Sequence, residues 1–217
     1  MRKNNLLVLI FIIAFVLRFW HLGSNPPSLS WDEAAWGYNA YSLGLTGKDE
    51  FGRFLPLDYL ESFGDFKPPV YAYLTVLPVK IFGLNEFAVR FPSALLGTLT
   101  VLLVYYLVNE LFINELKREN KLVNSLTRNK LIALIASFLL AISPWHIILS
   151  RAAFEANVAT FFLVAGVTFF LIGTRKKSWF LLLSAASFAL SLNTFNTARI
   201  VAPLLILGLV VGFRKKL

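Results

Sequence analysis

The chain has 217 residues, of which 57% are apolar and only 15% are charged, and its formal net charge is +9. Soluble globular domains carry charge on about a quarter of their residues, so this composition indicates a protein dissolved in a lipid bilayer. The chain has no cysteine, which excludes a disulfide framework and a thiolate metal site.

The basic residues are grouped in the connections between apolar runs. Thirteen of the 21 lie on alternate sides of successive runs: Arg2, Lys3, Lys117, Arg118, Lys121, Arg128, Lys130, Arg175, Lys176, Lys177, Arg214, Lys215 and Lys216. This is the positive-inside pattern of a multi-pass protein with a cytoplasmic N-terminus. Topology therefore accounts for the charge, and we expect no binding to nucleic acid.

Six apolar runs approach the roughly twenty residues that a helix needs to cross a bilayer core. In chain order they are 6–20, 87–111, 131–149, 156–172, 179–195 and 200–213. The first contains Arg18, whose long side chain can reach the headgroups from the outer end of the span. The sequence thus predicts an all-α polytopic bundle of about six transmembrane helices, forming one domain over residues 1–217. We expect it to lie in the plasma (inner) membrane.

A long first non-cytoplasmic loop, residues 21–87, joins the first two predicted spans. It holds eight of the twelve acidic residues: Asp32, Glu33, Asp49, Glu50, Asp58, Glu61, Asp65 and Glu86. The part at 70–82 is apolar, but it is short and contains Pro78, which predicts an interfacial or re-entrant helix. We expect the chemistry of the protein in this loop.

Asp32 and Glu33 stand at a predicted helix start in that loop. Ser30 with Glu33 three residues later has the pattern of a capping box, and an acid in a first turn complements the helix dipole. These structural roles account for both carboxylates. A carboxylate beside the bilayer surface can also act as a base or a metal ligand, and both interpretations stay open.

Lys67 precedes two prolines, which favour an extended backbone at Lys67 and a helix start immediately after them. It can be solvated or paired with Asp65. An ammonium group beside the N–H groups of a helix start is also suited to bind a phosphate. The sequence leaves these two interpretations open.

Two further charged pairs have a spacing of four residues at the edges of predicted spans. Glu86 with Arg90, and Arg151 with Glu155, are expected to pair along their helices. Ionisable groups near lipid are also often functional. His146 is expected to be an interface anchor, and a chain with two histidines is not expected to build a histidine-rich metal site.

Five phrases of the sequence give a resemblance to a known family. In chain order they are Trp31–Glu33, Tyr38–Ala40, Phe63–Pro69, Phe82–Arg90 and Pro92–Ala94. In this order, between a first and a second span, they resemble the N-terminal part of lipid-linked-sugar glycosyltransferases of the protein mannosyltransferase and aminoarabinose transferase type. The resemblance covers nearly the whole chain.

The resemblance implies a GT-C fold, in which a bundle of membrane helices has interfacial helices in its first outer loop. It implies hexosyl or pentosyl transfer, with inversion, from a polyprenyl-phosphate donor to a protein, lipid or glycan acceptor outside the cytoplasm. Asp32 then corresponds to the catalytic base, Glu33 to its partner and Lys67 to the lysine that holds the donor phosphate. Arg90 and Arg151 correspond to further phosphate or acid-loop partners.

Asp65 and Glu155 are further candidate polar residues. The sequence establishes no cofactor, but Mg²⁺ or Mn²⁺ is a candidate, because paired carboxylates can bind these cations through oxygen. Because such enzymes continue through more spans, we expect residues 1–217 to be the N-terminal part of a longer enzyme. We do not expect these residues to be active without the rest of it. The alternative is a non-catalytic polyprenyl-lipid-binding protein or scaffold.

Overall fold

A computed structural model describes residues 3–116 and 122–214, with side chains at 5–112 and 128–214. In these ranges it has nine helices and two short strands. They are α1 (Lys3–Phe19), α2 (Trp31–Thr46), β1 (Leu60–Ser62), β2 (Asp65–Lys67), α3 (Val70–Phe82), α4 (Glu86–Leu116), α5 (Leu122–Ile142), α6 (Pro144–Arg151), α7 (Glu155–Gly173), α8 (Phe180–Leu192) and α9 (Ala198–Phe213).

Two helical segments in the described ranges are long and apolar enough to cross a bilayer: Glu86–Phe112 within α4, and α7. A third crossing results if Arg128–Ile142 and Pro144–Arg151, which are bent by 56°, form one span. Shorter apolar helices are Asn5–Phe19, Val70–Phe82, Phe180–Leu192 and Ala198–Phe213. The chain is an all-α polytopic integral membrane protein, and the number of six spans stays a prediction.

The predicted third span, residues 131–149, is two helices and not one. α5 ends at Ile142, Ser143 is extended, and α6 begins at Pro144. Proline has no N–H to continue the hydrogen bonds of the preceding turn, whereas its fixed φ suits the first position of a new helix. The resulting bend turns α6 by 56° from the preceding helix, and α6 packs mainly against α4 and α1.

α4 is the central helix of the bundle and packs against α1, α3, α5, α6 and α7. The largest buried cluster joins the first loop to these helices through Trp36, Tyr71, Val89 and Val158, which are all at most 1% exposed. The loop is therefore packed onto the end of the bundle at which α1 ends and α4 begins, called here the loop end.

Close contact between α4, α6 and α7 depends on small and polar side chains. A Cβ atom at Gly97 would lie 2.7 Å from Ser150 Cβ, so only glycine fits at this position. Asn157 donates from Nδ2 to the carbonyl of Ser93 at 3.0 Å, and Ser93 Oγ donates to the carbonyl of Leu149 at 3.2 Å. Small residues and interhelical hydrogen bonds are the usual means of association in a bilayer.

Arg18 does not reach toward the membrane surface, and this expectation was wrong. Its side chain is fully buried and donates to the carbonyls of Ala14, Leu140 and Ala141 at 3.0 to 3.2 Å, and it lies 2.7 Å from His146 Nδ1. The carbonyls at the end of α5 have no hydrogen-bond donor within the helix, and the Arg18 guanidinium supplies donors to them. His146 is likewise buried, so it is not an interface anchor.

Candidate active site

Asp32 and Lys67 meet at the loop end of the bundle. Lys67 Nζ forms an ion pair with Asp32 Oδ1 and lies 3.2 Å from Asp65 Oδ2. The Lys67 side chain is 10% exposed, whereas Asp32 is 46% exposed. Burial opposes the charge of the lysine, but the hydrogen bond and charge of Asp32, supported by Asp65, raise the pKa of Lys67 above its ordinary value. Lys67 therefore stays cationic at neutral pH.

A β-hairpin, which the sequence analysis did not predict, brings Lys67 to this place. β1 and β2 are antiparallel, with Leu60 opposite Lys67 and Ser62 opposite Asp65. Phe63 and Gly64 form the turn, and both have positive φ, 55° and 75°. Two central residues with positive φ have the twist that joins neighbouring antiparallel strands. The hairpin thus holds Lys67 against the first turn of α2.

Glu33 lies behind Asp32 and forms the predicted capping box. The N–H of Ser30 donates to Glu33 Oε2 at 2.9 Å, and the N–H of Glu33 donates to Ser30 Oγ at 3.3 Å. Glu33 Oε1 also accepts from the N–H of Ala153, between α6 and α7, at 3.1 Å. Burial opposes the charge, but hydrogen bonds from Arg90, Ser30 and Ala153 hold the pKa of Glu33 below its ordinary value of 4.5.

Arg90 pairs with Glu33 and not with Glu86, its expected partner on the same helix. Its Nε donates to Glu33 Oε1 at 2.7 Å and its Nη2 to Oε2 at 3.2 Å. The remaining donors bind the carbonyls of Leu22, Pro26 and Ser28 at 2.6 to 3.1 Å. Arg90 is fully buried, and its five N–H groups are all engaged. This geometry suits a residue that holds the acidic first loop in place, and it leaves no Arg90 donor for a phosphate.

Arg151 does not pair with Glu155 as expected. It donates to the carbonyls of Leu17, Arg18, Trp20 and Asn25 at 2.7 to 3.4 Å, so it binds the chain where α1 ends. Arg151 is the last residue of α6, the helix that follows the 56° bend. Arg151 is 9% exposed and therefore acts on the backbone of the loop end.

Glu155 is the first residue of α7 and is half-buried. It interacts electrostatically with Lys67, Asp32 and Asp65, although it is far from them in sequence. The seven candidate residues thus form two groups. Asp32, Asp65 and Lys67 form a partly open cluster within electrostatic range of Glu155, while Glu33, Arg90 and Arg151 lie buried behind it.

Comparison with known proteins shows which fold this is. A family model described as dolichyl-phosphate-mannose-protein mannosyltransferase matches residues 66–116, which include Lys67 and Arg90. The crystal structure of ArnT from Cupriavidus metallidurans in the apo state matches 99% of the chain with a TM-score of 0.72 at 17% identity. This chain has a GT-C-type fold. The resemblance to lipid-linked-sugar glycosyltransferases of this type is confirmed.

Two curated relatives extend the comparison. An uncharacterised protein from Aquifex aeolicus (strain VF5) is 30% identical over 94% of this chain, and a putative mannosyltransferase, YkcB, from Bacillus subtilis (strain 168) is 29% identical over 64%. The chain covers 36% of the first protein, 17% of the second and 37% of the ArnT chain. It therefore corresponds to about a third or less of the length of these proteins.

The first loop also contains a supporting hydrogen-bond network that the sequence analysis missed. Asn39 Nδ2 donates to Ser62 Oγ at 2.9 Å, and Asn39 Oδ1 accepts from the N–H of Glu50 at 3.1 Å. The ring of Trp36 lies 5.6 Å from Lys67 Nζ. Asn39 belongs to the phrase Tyr38–Ala40 that carried the resemblance, which was the available signal. The network joins α2 to the hairpin and so fixes Asp32 relative to Lys67.

The carboxylates of the candidate site are not arranged to hold a divalent metal. Among the residues that the structure describes, no three His, Cys, Asp or Glu side chains are grouped so that they could hold an ion. Asp32 Oδ1 is already bound by Lys67, and Glu33 is engaged by Arg90. These residues do not fit a resident metal in this arrangement.

Proposed function

We propose that this chain is part of a membrane glycosyltransferase that moves a sugar from a polyprenyl-phosphate donor to an acceptor hydroxyl outside the cytoplasm. The acceptor is a protein, a lipid or a glycan. The observation that carries the proposal is the pairing of Asp32 with Lys67, a carboxylate and a cation from two elements of one partly open site. The GT-C-type fold and the family match around Lys67 support it.

In the proposed reaction Lys67 binds the phosphate of the donor lipid. The acceptor oxygen attacks the anomeric carbon from the face opposite the phosphate, and the bond from that carbon to the phosphate oxygen breaks. The sugar is thereby inverted, polyprenyl phosphate leaves with the bonding electrons, and Asp32 takes the acceptor proton. A positioned base lowers the barrier to attack, and a cation stabilises the charge that develops on the leaving group.

The ion pair between Asp32 and Lys67 gives this site an order of events. While Lys67 holds Asp32, the carboxylate cannot accept a proton freely. A donor phosphate competes for the same ammonium group, so donor binding releases Asp32 for its role as base. Asp65, on the other side of Lys67, shares the cation and is 66% exposed.

Glu33 and Arg90 hold the helix start that carries Asp32. Their paired charges anchor α2 to α4 and to the backbone at Ala153. In this proposal Glu33 is a positioning residue and not a second base, because four hydrogen bonds keep it ionised and occupied despite its burial. No step is assigned to a metal ion.

Transfer assays with the complete reading frame test the proposal. Membranes with the parent protein, Asp32→Asn or Lys67→Ala are supplied with radiolabelled polyprenyl-phosphate sugars, and label in the acceptor fraction is measured. Loss of a general base typically costs about 10²- to 10⁴-fold. Lys48→Ala and Asp58→Asn, exposed in the same loop, are the matched controls and should retain activity.

The outcomes separate the proposed enzyme from the alternative. Undiminished transfer in Asp32→Asn and Lys67→Ala would refute the residue assignments. Donor-lipid binding that depends on Lys67, without transfer by any variant or by the parent, would instead identify a polyprenyl-lipid-binding protein.

We also propose that the N-terminus is cytoplasmic and that the first loop lies outside, as the basic clusters indicate. Residues 1–217 contain no cysteine, so an introduced thiol is the only one that can be labelled within this part of the protein. Asp58→Cys should react with a membrane-impermeant maleimide added to intact cells, whereas Lys177→Cys should react only after lysis. The opposite labelling would reverse the topology.

A further inference from the structure

Two exposed aromatic rings stand beside the candidate active site. Trp31 is the first residue of α2, immediately before Asp32, and is 75% exposed. Phe63 is at the tip of the hairpin that carries Lys67 and is 67% exposed. Their ring centroids are 5.3 Å apart, with the planes at 66°. The two rings form an open apolar corner between α2 and the hairpin, which are also the two elements that supply Asp32 and Lys67.

The backbone at Phe63 indicates that its ring serves more than folding. Its φ of 55° is in the left-handed region, which bulky residues rarely adopt and which asparagine and glycine suit far better. An unfavourable conformation is kept when something else depends on it, and such residues cluster at ligand sites. The Phe63 ring gains little from burial in return, because two thirds of it is exposed.

We propose that Trp31 and Phe63 bind the sugar ring of the donor lipid. This inference rests on the proposed function, in which the donor phosphate lies on Lys67. The sugar is one bond from that phosphate and must bring its anomeric carbon within reach of an acceptor hydroxyl held by Asp32. The groups that flank both Asp32 and Lys67 are therefore the ones that meet the sugar.

The charges of the corner select a sugar over other occupants. Asp32 and Asp65 are 46% and 66% exposed and disfavour a second anion. A prenyl chain would bury these carboxylates against hydrocarbon without hydrogen bonds, which is costly. A sugar ring has apolar C–H faces for the two aromatic rings and hydroxyl groups that donate to the carboxylates. Binding sites for such ligands combine aromatic walls with a few polar groups.

The inference is tested by binding to the full-length protein in nanodiscs. Dissociation constants are measured for bare polyprenyl phosphate and for the same lipid bearing mannose, glucose or aminoarabinose. Trp31→Ala and Phe63→Asn remove one ring each, and the second substitution suits the turn, so the hairpin should fold at least as well. Trp31→Phe and Phe63→Tyr keep a ring, and Trp145→Ala removes a tryptophan of equal exposure elsewhere.

We expect at least one sugar to tighten binding to the parent roughly 3- to 10-fold over bare polyprenyl phosphate, the range of a good aromatic contact. That gain should vanish in Trp31→Ala and Phe63→Asn and persist in the ring-keeping variants and in Trp145→Ala. Binding of the bare lipid should be unchanged throughout.

Three results would overturn the inference: no sugar tightens binding to the parent, the gain survives loss of either ring, or bare lipid is weakened as much as the sugar lipid. The last result would place the prenyl chain on the rings. The proposed function fails separately, if Lys67→Ala leaves the affinity for bare polyprenyl phosphate unchanged.

Discussion

The buried pair of Arg90 and Glu33 supports a quantitative prediction. Replacing Arg90 by methionine keeps much of the apolar volume but removes the charge. Glu33 is then left buried, with 5% of its side chain exposed and no counter-ion. The carbonyls of Leu22, Pro26 and Ser28 also lose their donor.

The expected cost follows from these contacts. Removing one partner of a buried ion pair typically costs about 3–5 kcal/mol, because the other charge stays buried without compensation. For a chain of this size each kcal/mol lowers the melting temperature by about 2–4 °C, so Arg90→Met should lower it by roughly 6–20 °C. Replacing both Arg90 and Glu33 by methionine removes the orphaned charge. The double variant should therefore lose less than the sum of the two single variants.

The measurement is the apparent melting temperature by tryptophan fluorescence, in one detergent and at one scan rate. Arg53→Met is the matched control, since Arg53 pairs with Asp58 in the same loop but in solvent. Exposed pairs contribute little, so its melting temperature should stay close to that of the parent. If Arg90→Met melts like Arg53→Met, or if the losses of the two single variants simply add in the double variant, Arg90 does not compensate the buried charge of Glu33.

Three more predictions concern pH and packing. Despite burial, the ion pair with Arg90 depresses the pKa of Glu33. The stabilisation of the fold by this pair is therefore complete above pH 4.5 and is lost as the pH falls through the lowered pKa of Glu33. The melting temperature of Glu33→Gln should depend less on acid pH than that of the parent. Despite burial, the pairing with Asp32 raises the pKa of Lys67, so polyprenyl-phosphate affinity in the parent should persist to a higher pH than in Asp32→Asn, and equal pH profiles would contradict the pairing. Gly97→Ala should cost about 1–3 kcal/mol by overpacking, measured as a lower melting temperature. Gly208→Ala, which has nothing within 4 Å, is the control and should not lower it.

Local signals in the sequence were sufficient for the helices of the first loop. The capping box at Ser30 and Glu33 was confirmed, and the short helix expected over 70–82 has those bounds. Both depend on neighbouring residues: a serine and a glutamate three apart, and a proline pair before an apolar run. The bend before α6 also had a local cause in Pro144, but a hydropathy pattern does not distinguish a bent pair from one span.

The partners of the arginines could not be predicted in the same way. Spacing of four residues suggested Arg90 with Glu86 and Arg151 with Glu155, because helix neighbours are all that a sequence shows. In the fold both arginines bind groups more than fifty residues away. A buried guanidinium must satisfy five donors, and only the packed chain determines which carboxylates and carbonyls are near.

The sequence by itself determined that this is a membrane protein with an acidic first loop, since composition and hydropathy do not depend on packing. The five short phrases of the first loop and the start of α4 also indicated the GT-C type of fold, which the comparison confirmed. Only the tertiary structure paired Asp32 with Lys67, brought Glu155 within electrostatic range of them and placed Glu33 behind them. The physical reason is that a hairpin and a bent helix, rather than sequence spacing, decide where these charges meet.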